Sequence, residues 1–443
     1  MRNTHFITLL IILAASSIMR AGLALYIGND VSELPGTSDQ ITYHTLATRV
    51  LNGYGFTFGE NWWPLTRADQ PTAHWSYLYT FYLTWVYHIV GIKPIAARLI
   101  QAVITGILHP LLAYIITKRI FGSTCGLIAA GITAFYLYFI YYAGTLMTEP
   151  FYITSILLVI LSTSVLAVSP NTQNQPTYIQ YGLPLLAGIT LAITVLLRQI
   201  FLVYVPVLLF WLGYVRYKKG WRFWKSVFPS VIIVLILIAS IFPFTLFNYQ
   251  RFKRFVLLNT NAGYAFYWAN HPIYKTNFIP ILNESTGSYL SLVPQDLTTL
   301  DEAALDQELL KHGIQFVAED PLRYLLLSLS RIPIFFMFLP SADSGLLSNV
   351  TRVASFGLFF PFMILGIYLT LFYRKRSFQT FLESTEFLLV SFSVLYSLIH
   401  IFSWTLIRYR LPVDAVLISY AAYAIYFLTS HKLLIKGTLR QKA

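Results

Sequence analysis

The chain is short of charge, and of negative charge above all. Only 11% of its 443 residues are Asp, Glu, Lys or Arg, and 18 acids stand against 31 bases for a formal net charge of +13. An ordinary soluble chain carries about 25% charged residues, so a water-facing globular surface is excluded. The one cysteine, Cys125, excludes an internal disulfide framework. No Cys/His cluster has the spacing of a structural metal site, and no glycine-rich phosphate loop sits where one would open a helix. There is no internal repeat or low-complexity tract, which counts against the repeat-built transporter folds. The positive balance does not point to nucleic acid, because the basic residues sit in short blocks between apolar runs and not along one soluble face.

What the chain does have is apolar length. Hydrophobic residues make up 56% and aromatics 17%, gathered in runs of about 17 to 23 residues, each long enough to cross a hydrocarbon core. The expected fold class is all-α: a polytopic helical integral membrane protein, 1–443 as one transmembrane domain, with about ten crossings and at most about twelve. Their expected places are 6–27, 95–117, 124–143, 150–168, 181–197, 199–215, 226–247, 352–372, 386–403 and 411–429. Met1 to Tyr26 is too long for a signal peptide and reads as an uncleaved first helix. Two further apolar segments, Trp75–Val90 and Tyr324–Leu339, are short, and the second carries Arg331 at its middle. A centred Arg costs about 2.5–3.5 kcal/mol on insertion, so both read as interfacial or re-entrant.

Short cytoplasmic loops should hold the Lys and Arg excess. With a cytoplasmic N-terminus this frame puts inside Lys118 and Arg119, then Arg216, Lys218, Lys219, Arg222 and Lys225, then Arg374, Lys375 and Arg376. The tail residues Lys432, Lys436, Arg440 and Lys442 also fall inside. Counting both short segments as spans would flip two of these blocks outward. Two long outer loops follow, 28–94 and 248–351, rich in Tyr, Trp, Asn and Pro and therefore expected to be ordered. Within the second, Leu305, Leu309, Leu310, Ile314 and Val317 give Leu300–Glu319 one apolar helical face, with Asp301 and Glu302 at its positive end and Pro321 beyond.

Several residues on the outer side could carry chemistry. Tyr43, Leu46, Ala47, Val50, Leu51 and Tyr54 form one helical stripe, which puts Asp39 in the first turn of a surface helix. A carboxylate there could take a proton from an acceptor hydroxyl; it could equally complement the helix dipole, with Thr37 or Ser38 as cap. Glu149, in Thr148-Glu149-Pro150, is a second acid on the same side and also fits an ordinary helix start. Arg198, Arg251, Lys253, Arg254, Arg408 and Arg410 stand at outer span ends, against the charge preference. Guanidinium forks match phosphate oxygens, and lipid headgroups are the plainer partner. Arg20, inside the first span, reads as structural or snorkelling. His74 is either a satisfied structural imidazole or a site residue. The run Tyr264 to His271, with Tyr267 and Trp268, could stack on a sugar ring or a prenyl chain or anchor at the interface.

This order of motifs resembles the polytopic GT-C glycosyltransferases, in particular the branch of protein O-mannosyltransferases and lipid A aminoarabinose transferases. The resemblance rests on Asp39 with Tyr43, Ala47 and Gly53-Tyr54-Gly55, then Ala97-Arg98-Leu99, Lys118 to Gly122, Thr148-Glu149-Pro150 and Arg198. Phe247-Asn248-Tyr249, Asn259 to Gly263 with Asn261, Asp320-Pro321 and Arg408-Tyr409-Arg410-Leu411-Pro412 continue it. Many relatives have Asp-Glu where this chain has Asp39-Gln40, and Ala73-His74-Trp75 replaces a proline-rich stretch. The resemblance implies a GT-C fold and an inverting transfer of a monosaccharide from a polyprenyl-phosphate donor to a lipid, glycan or protein hydroxyl. It implies Asp39 as general base, Glu149 positioning a substrate, and Arg198, Arg408 and Arg410 binding the donor phosphate. The implied binding set also takes in Tyr43, His74, Arg251, Arg254, Asn261, Tyr267 and Trp268. No cofactor is required by it, although two acids could hold a divalent metal. The sequence stops soon after its last span, without the soluble domain of oligosaccharyltransferases, so a single-sugar transferase is expected. The expected setting is a bacterial plasma membrane, with the site on the extracytoplasmic side and both termini cytoplasmic. Membrane lipids are partners; nucleic acid is not.

Two other readings stay open. A lipid-linked sugar flippase or transporter would place its functional polar groups near the bilayer midplane. An O-antigen ligase or polymerase would use a diphosphate-linked donor.

Overall fold

A computed structural model describes residues 2–169, 181–280, 282, 288–342, 344–374 and 376–440. Lys375 and Lys442 lie outside the described residues, and Lys432, Lys436 and Arg440 are described in backbone only. The chain starts with α1 (Arg2–Ile27), and the loop 28–94 holds α2 (Asp39–Leu51) and α3 (Tyr77–Val90). Next come α4 (Pro94–Phe121), α5 (Ser123–Phe135), α6 (Leu137–Ala143), α7 (Glu149–Ala167), α8 (Leu183–Leu197), α9 (Val205–Lys218) and α10 (Phe223–Phe252). The loop 248–351 carries α11 (Ala262–Asn270), α12 (Glu302–Glu319), α13 (Pro321–Phe335) and the start of α14 (Leu346–Arg352). Then α15 (Leu358–Tyr368), α16 (Phe378–Leu382), α17 (Thr385–Phe402) and α18 (Leu411–Arg440) follow. Among the described residues there is no strand, only isolated bridges at Thr57–Pro71 and Trp62–Thr66.

Each expected crossing coincides with helix, but fewer reach full span length. Among the described residues seven helices are long and apolar enough to cross a membrane, or eight if α5 and α6 are one span bent by 53°. The remaining two, 181–197 and 199–215, are the 15-residue α8 and, after a 3-10 turn at Gln199–Val203, the 14-residue α9. At 1.5 Å per residue each covers only about 22 Å, short of a hydrocarbon core of about 30 Å. The chain is an integral multi-pass membrane protein. Its central helices are α7 and α18, buried over 78% and 72% of their most apolar windows, while α1 and α10 are buried over only 17% and form the rim.

Buried arginines hold the places where helices break. Tyr136 interrupts α5 and α6, which orphans the last carbonyls of α5. Arg20, fully buried in α1, donates to the carbonyls of Thr133 at 3.0 Å and Ala134 at 3.2 Å, so it is structural. Arg98 does the same for the end of α1, donating to Gly28 at 2.7 Å and Asp30 at 2.6 Å. Arg331, buried in α13, donates to Asn270 Oδ1 and Ile401 O at 3.0 Å each and to Ala269 O. Its neighbours Leu322, Leu325, Leu326 and Leu329 are exposed on the other face. The segment expected to be interfacial or re-entrant is thus an amphipathic helix, with Arg331 turned inward. Small residues let the central helices touch: a Cβ on Gly366 of α15 would run into the Tyr420 backbone of α18.

The two ends of the bundle differ. Arg98 at the start of α4 reaches Gln40, next to Asp39. At the far end of α4, about 35 Å away by helix rise, Phe121 lies under Arg374, which with Arg376 meets the buried Glu386 at 3.1 and 2.8 Å. The Lys219 side chain feels both Arg119 and Glu383 there, and burial together with Arg119 lowers its pKa. Arg119, Lys219, Arg374 and Arg376, from three of the basic blocks, thus share one end.

Candidate active site

Four charged side chains from distant parts of the sequence meet at the Asp39 end. Each stands at the edge of a helix: Asp39 opens α2, Glu149 opens α7, Arg198 follows α8, and Arg408 lies in the 3-10 turn (Ile407–Arg410) that leads into α18. Pro150 sets the helical φ for the start of α7. The Thr148 hydroxyl does not cap that helix; it accepts from Arg198 Nε at 3.0 Å. Arg198 Nη2 meets Glu149 Oε1 at 2.5 Å, and Arg408 Nη2 meets Asp39 Oδ2 at 2.8 Å. Arg408 Nε approaches the same Glu149 oxygen at 3.9 Å, which makes one alternating chain of charge, Asp39, Arg408, Glu149, Arg198.

The two acids are not equivalent. Glu149 is 1% exposed and wedged between two guanidinium groups. Asp39 is 17% exposed, is held through one oxygen, and keeps Oδ1 without a partner among the described residues. Ser38 makes no side-chain cap bond, so the cap expected from Thr37 or Ser38 is not made by Ser38. Thr37 instead accepts from Leu34 N at 3.1 Å. Gln40 is buried; its amide donates to Ser32 O at 2.5 Å and its Oε1 accepts from Arg98 at 3.1 Å. A carboxylate there would lose the donated bond. Tyr152 and Tyr409 flank Arg198, their centroids 5.5 and 5.7 Å from its guanidinium carbon.

A second layer ties the long loops to this cluster. Gln199, next to Arg198, donates to Asn259 O and Asn261 Oδ1 at 3.0 Å each and accepts from Asn259 N at 3.1 Å. Behind them Glu302, 6% exposed, takes the Thr66 hydroxyl at 2.7 Å, Ala73 N at 2.7 Å and the Thr260 hydroxyl at 2.5 Å. That carboxylate staples the two loops together, while its neighbour Asp301 is the exposed N-cap of α12, accepting from Ala304 N at 2.8 Å. His74 Nδ1 lies 3.0 Å from Thr260 O, and burial lowers the imidazole pKa below its usual value. Asp306 accepts from Gly263 N at 2.8 Å and Tyr264 N at 3.2 Å; burial pushes its carboxyl up to about 7. Any Cβ on Gly263 would overlap the Asp306 carbonyl, so only glycine lets α11 lie this close to α12.

The residues singled out from sequence therefore separate. Asp39, Glu149, Arg198 and Arg408 are brought together, and Asn261 joins them through Gln199. Tyr43 is buried behind Asp39, packed edge-on to Trp75 at 5.7 Å and Tyr79 at 4.9 Å. Tyr267 and Trp268 anchor the loop, donating to Leu292 O at 2.6 Å and Tyr289 O at 2.9 Å. Arg251 holds the end of α10, donating to Tyr77 Oη at 2.6 Å and Thr72 O at 3.1 Å. Arg254 is exposed and faces Glu308. Arg410 is not brought to the cluster: it is fully buried, paired with Asp414 at 2.9 Å and donating to Phe335 O at 2.8 Å. Gln199, Glu302 and Asp306 carried no motif, although the position of Gln199 beside Arg198 was a usable signal.

Asp39 and Glu149, the acids that could hold a divalent cation, each face a guanidinium. Among the described residues no three of His, Cys, Asp and Glu converge. With both carboxylates paired to guanidinium groups, this donor set does not fit a divalent cation.

No family model and no curated protein matches the sequence. Solved structures do. The oligosaccharyltransferase AglB of the archaeon Archaeoglobus fulgidus, in complex with an inhibitory peptide and a dolichol-phosphate, aligns at TM-score 0.59 and 17% identity, over 100% of this chain and 52% of that one. The apo form aligns at TM-score 0.59 and 15% identity over 98% and 52%. ArnT from Cupriavidus metallidurans bound to undecaprenyl phosphate aligns at TM-score 0.39 and 12% identity over 94% and 77%. The chain spans about half the length of the oligosaccharyltransferase structures it matches. The chain thus shares the fold of the membrane part of the archaeal oligosaccharyltransferase structures over its whole described length.

Proposed function

We propose that the protein is a membrane glycosyltransferase that moves a monosaccharide from a polyprenyl-phosphate donor to an acceptor hydroxyl at the outer face of the membrane, with inversion. The observation that carries this reading is the meeting of Asp39, Glu149, Arg198 and Arg408 at one end of the bundle. Charge-based topology assigns all four to the extracytoplasmic side, with the basic blocks at the opposite, cytoplasmic end. A dolichol-phosphate in the complex of the archaeal neighbour is consistent with a lipid phosphate as the leaving group.

In this reading the acceptor O–H gives its proton to Asp39 Oδ1, the oxygen with no partner, and the acceptor oxygen attacks the anomeric carbon from the face opposite the phosphate. The anomeric C–O bond breaks, and its electron pair leaves on the lipid phosphate. Arg198 and Arg408 stabilise that growing charge. Their donors are not all committed: Arg198 bonds through Nε and Nη2 alone among the described residues, which leaves Nη1. Glu149 orients both guanidinium groups and keeps the cluster neutral before the donor arrives. Removing one preorganised donor costs about 2.7–4 kcal/mol of barrier.

The position of these charges favours an enzyme over a carrier. They stand at helix ends, whereas a carrier places its functional charges near the midplane. The test is transfer from radiolabelled polyprenyl-phosphate sugars in membranes, wild type against Asp39→Asn. Donor-dependent product that falls about 10²–10⁴-fold in the variant, with expression unchanged, is the expected result. Equal product from both would remove Asp39 as base, and product only from a diphosphate-linked donor would move the reading to a ligase or polymerase.

A further inference from the structure

One wall of the loop 28–94 carries a feature that the charge cluster does not use. Trp63 keeps 47% of its surface exposed although three aromatic rings stand behind it, Trp268 at 5.6 Å, His74 at 5.9 Å and Trp75 at 6.3 Å. Its ring is thus backed by protein and open in front. His74, 8% exposed, is fixed in one tautomer: a carbonyl only accepts, so Nδ1 carries the proton toward Thr260 O. Nε2 is then an acceptor, with no partner among the described residues. Burial lowers the imidazole pKa and keeps it neutral. Trp75 Nε1, in the same wall, is buried without a hydrogen-bond partner.

The charge behind this wall is already committed, since both Glu302 oxygens accept from Thr66, Ala73 and Thr260. The wall therefore offers an aromatic face, one hydrogen-bond acceptor and no uncommitted charge. That combination selects a neutral ligand with a flat apolar face and hydroxyls at its edge, the chemistry of a pyranose ring. Anchoring at a membrane interface needs exposed tryptophan but gives no use to an imidazole nitrogen held as an open acceptor. The wall is also on the side of the base: Tyr43, one turn along α2 from Asp39, packs on Trp75 at 5.7 Å. A donor phosphate would instead seek Arg198 and Arg408.

We propose that Trp63, His74 and Trp75 form a subsite for a neutral sugar of the acceptor, whose apolar face stacks on Trp63 while one hydroxyl donates to His74 Nε2. This rests on the glycosyl-transfer reading and narrows the acceptor to a carbohydrate-bearing molecule.

Binding is read without turnover, by saturation-transfer NMR on the full chain in detergent. The probes are methyl α-mannopyranoside, methyl β-glucopyranoside and methyl β-galactopyranoside. At least one should bind, about tenfold more weakly to Trp63→Ala and to His74→Phe, with Trp63→Phe close to wild type and thermal unfolding unchanged in the Trp63 variants. No binding by any probe, or binding insensitive to Trp63→Ala, overturns the proposal. Quenching of Trp63 by brominated lipid in nanodiscs, seen against Trp63→Phe and without any glycoside effect, also overturns it and makes the residue an interface anchor. The two readings fail separately. Glycosides that still bind at Trp63 while no donor supports transfer remove the enzyme and leave the subsite. Transfer by Trp63→Ala at unchanged acceptor KM removes the subsite and leaves the enzyme.

Discussion

Arg408 and Arg410 leave the same 3-10 turn two residues apart and enter opposite environments. Arg410 is sealed: Nε meets Asp414 at 2.9 Å, Nη1 serves Phe335 O at 2.8 Å and Met337 O at 3.0 Å, and Phe356 covers the guanidinium at 3.5 Å. Asp414 is closed from the other side by the Tyr136 hydroxyl at 2.7 Å. Arg408 is left open: it shares its charge between Asp39 at 2.8 Å and Glu149 at 3.9 Å, and its side chain keeps 13% of its surface exposed where Arg410 keeps none. The Arg410 pair, with both side chains fully buried, holds the end of the bundle at Tyr136 and Phe335. The Arg408 pair, with side chains 13% and 17% exposed, can respond to a ligand. The same residue type in one motif is thus split between fold and chemistry by the direction in which the turn sends it.

The comparison can be broken most forcefully at Arg410. Removing one partner of a buried pair leaves an uncompensated charge and costs about 3–5 kcal/mol, so Arg410→Ala should unfold in detergent well below wild type and lose all function with its fold. Arg410→Met with Asp414→Leu removes both charges and should recover most of that stability. If the double variant also recovers transfer, Arg410 holds only the fold; a stable, folded and inactive double variant would return Arg410 to the donor phosphate.

Arg408→Ala should do the reverse. Its side chain is 13% exposed and its loss frees Asp39 toward water, so thermal unfolding should change little while the transfer barrier rises by about 2.7–4 kcal/mol. Arg408→Lys keeps the charge but not the fork and should recover only part of the rate. A large fall in melting temperature for Arg408→Ala would erase the distinction between the two arginines.

The sequence could supply much of this site and not the split within it. The helix opened by Asp39, the start of α7 at Glu149 and the Arg at the end of α8 follow from helical periodicity, proline position and charge at span ends, all of which are local signals. Their common side followed from counting basic blocks. Whether Arg408 or Arg410 faces the cluster depends on where a four-residue turn is seated against Phe335, Phe356 and Gly36, contacts that come from three distant segments. Glu302 was legible as an acid at a helix start but not as the staple between the loops, because its partners Thr66, Ala73 and Thr260 follow no period. The runs 181–197 and 199–215 read as full spans because apolar composition does not show how much of each run is α-helix: five residues of the second, Gln199–Val203, form a 3-10 turn and leave α9 with 14.

Asp306 extends the comparison to a carboxyl with no cation at all. Asp39 and Asp414 each have a guanidinium; Asp306 has only the backbone N–H groups of Gly263 and Tyr264. Burial is the larger influence and pushes its carboxyl up to about 7, against about 3.9 in an unfolded chain. Between those values the folded protein holds a proton that the unfolded chain has released, so stability is full below the lower value and falls as pH rises toward the upper one. The carboxyl is partly open to water, so the loss at the α11–α12 contact should be about 1 kcal/mol, the smallest effect considered. Hydrogen exchange of the α11 amides should speed up from pH 4 to pH 7 beyond the intrinsic rate change. Asp306→Asn keeps an acceptor for both amides and has no proton to lose, so it should remove that excess. An unchanged excess in Asp306→Asn would show that the pH dependence comes from another group, and that burial without a cation does not set Asp306 apart from the paired carboxylates.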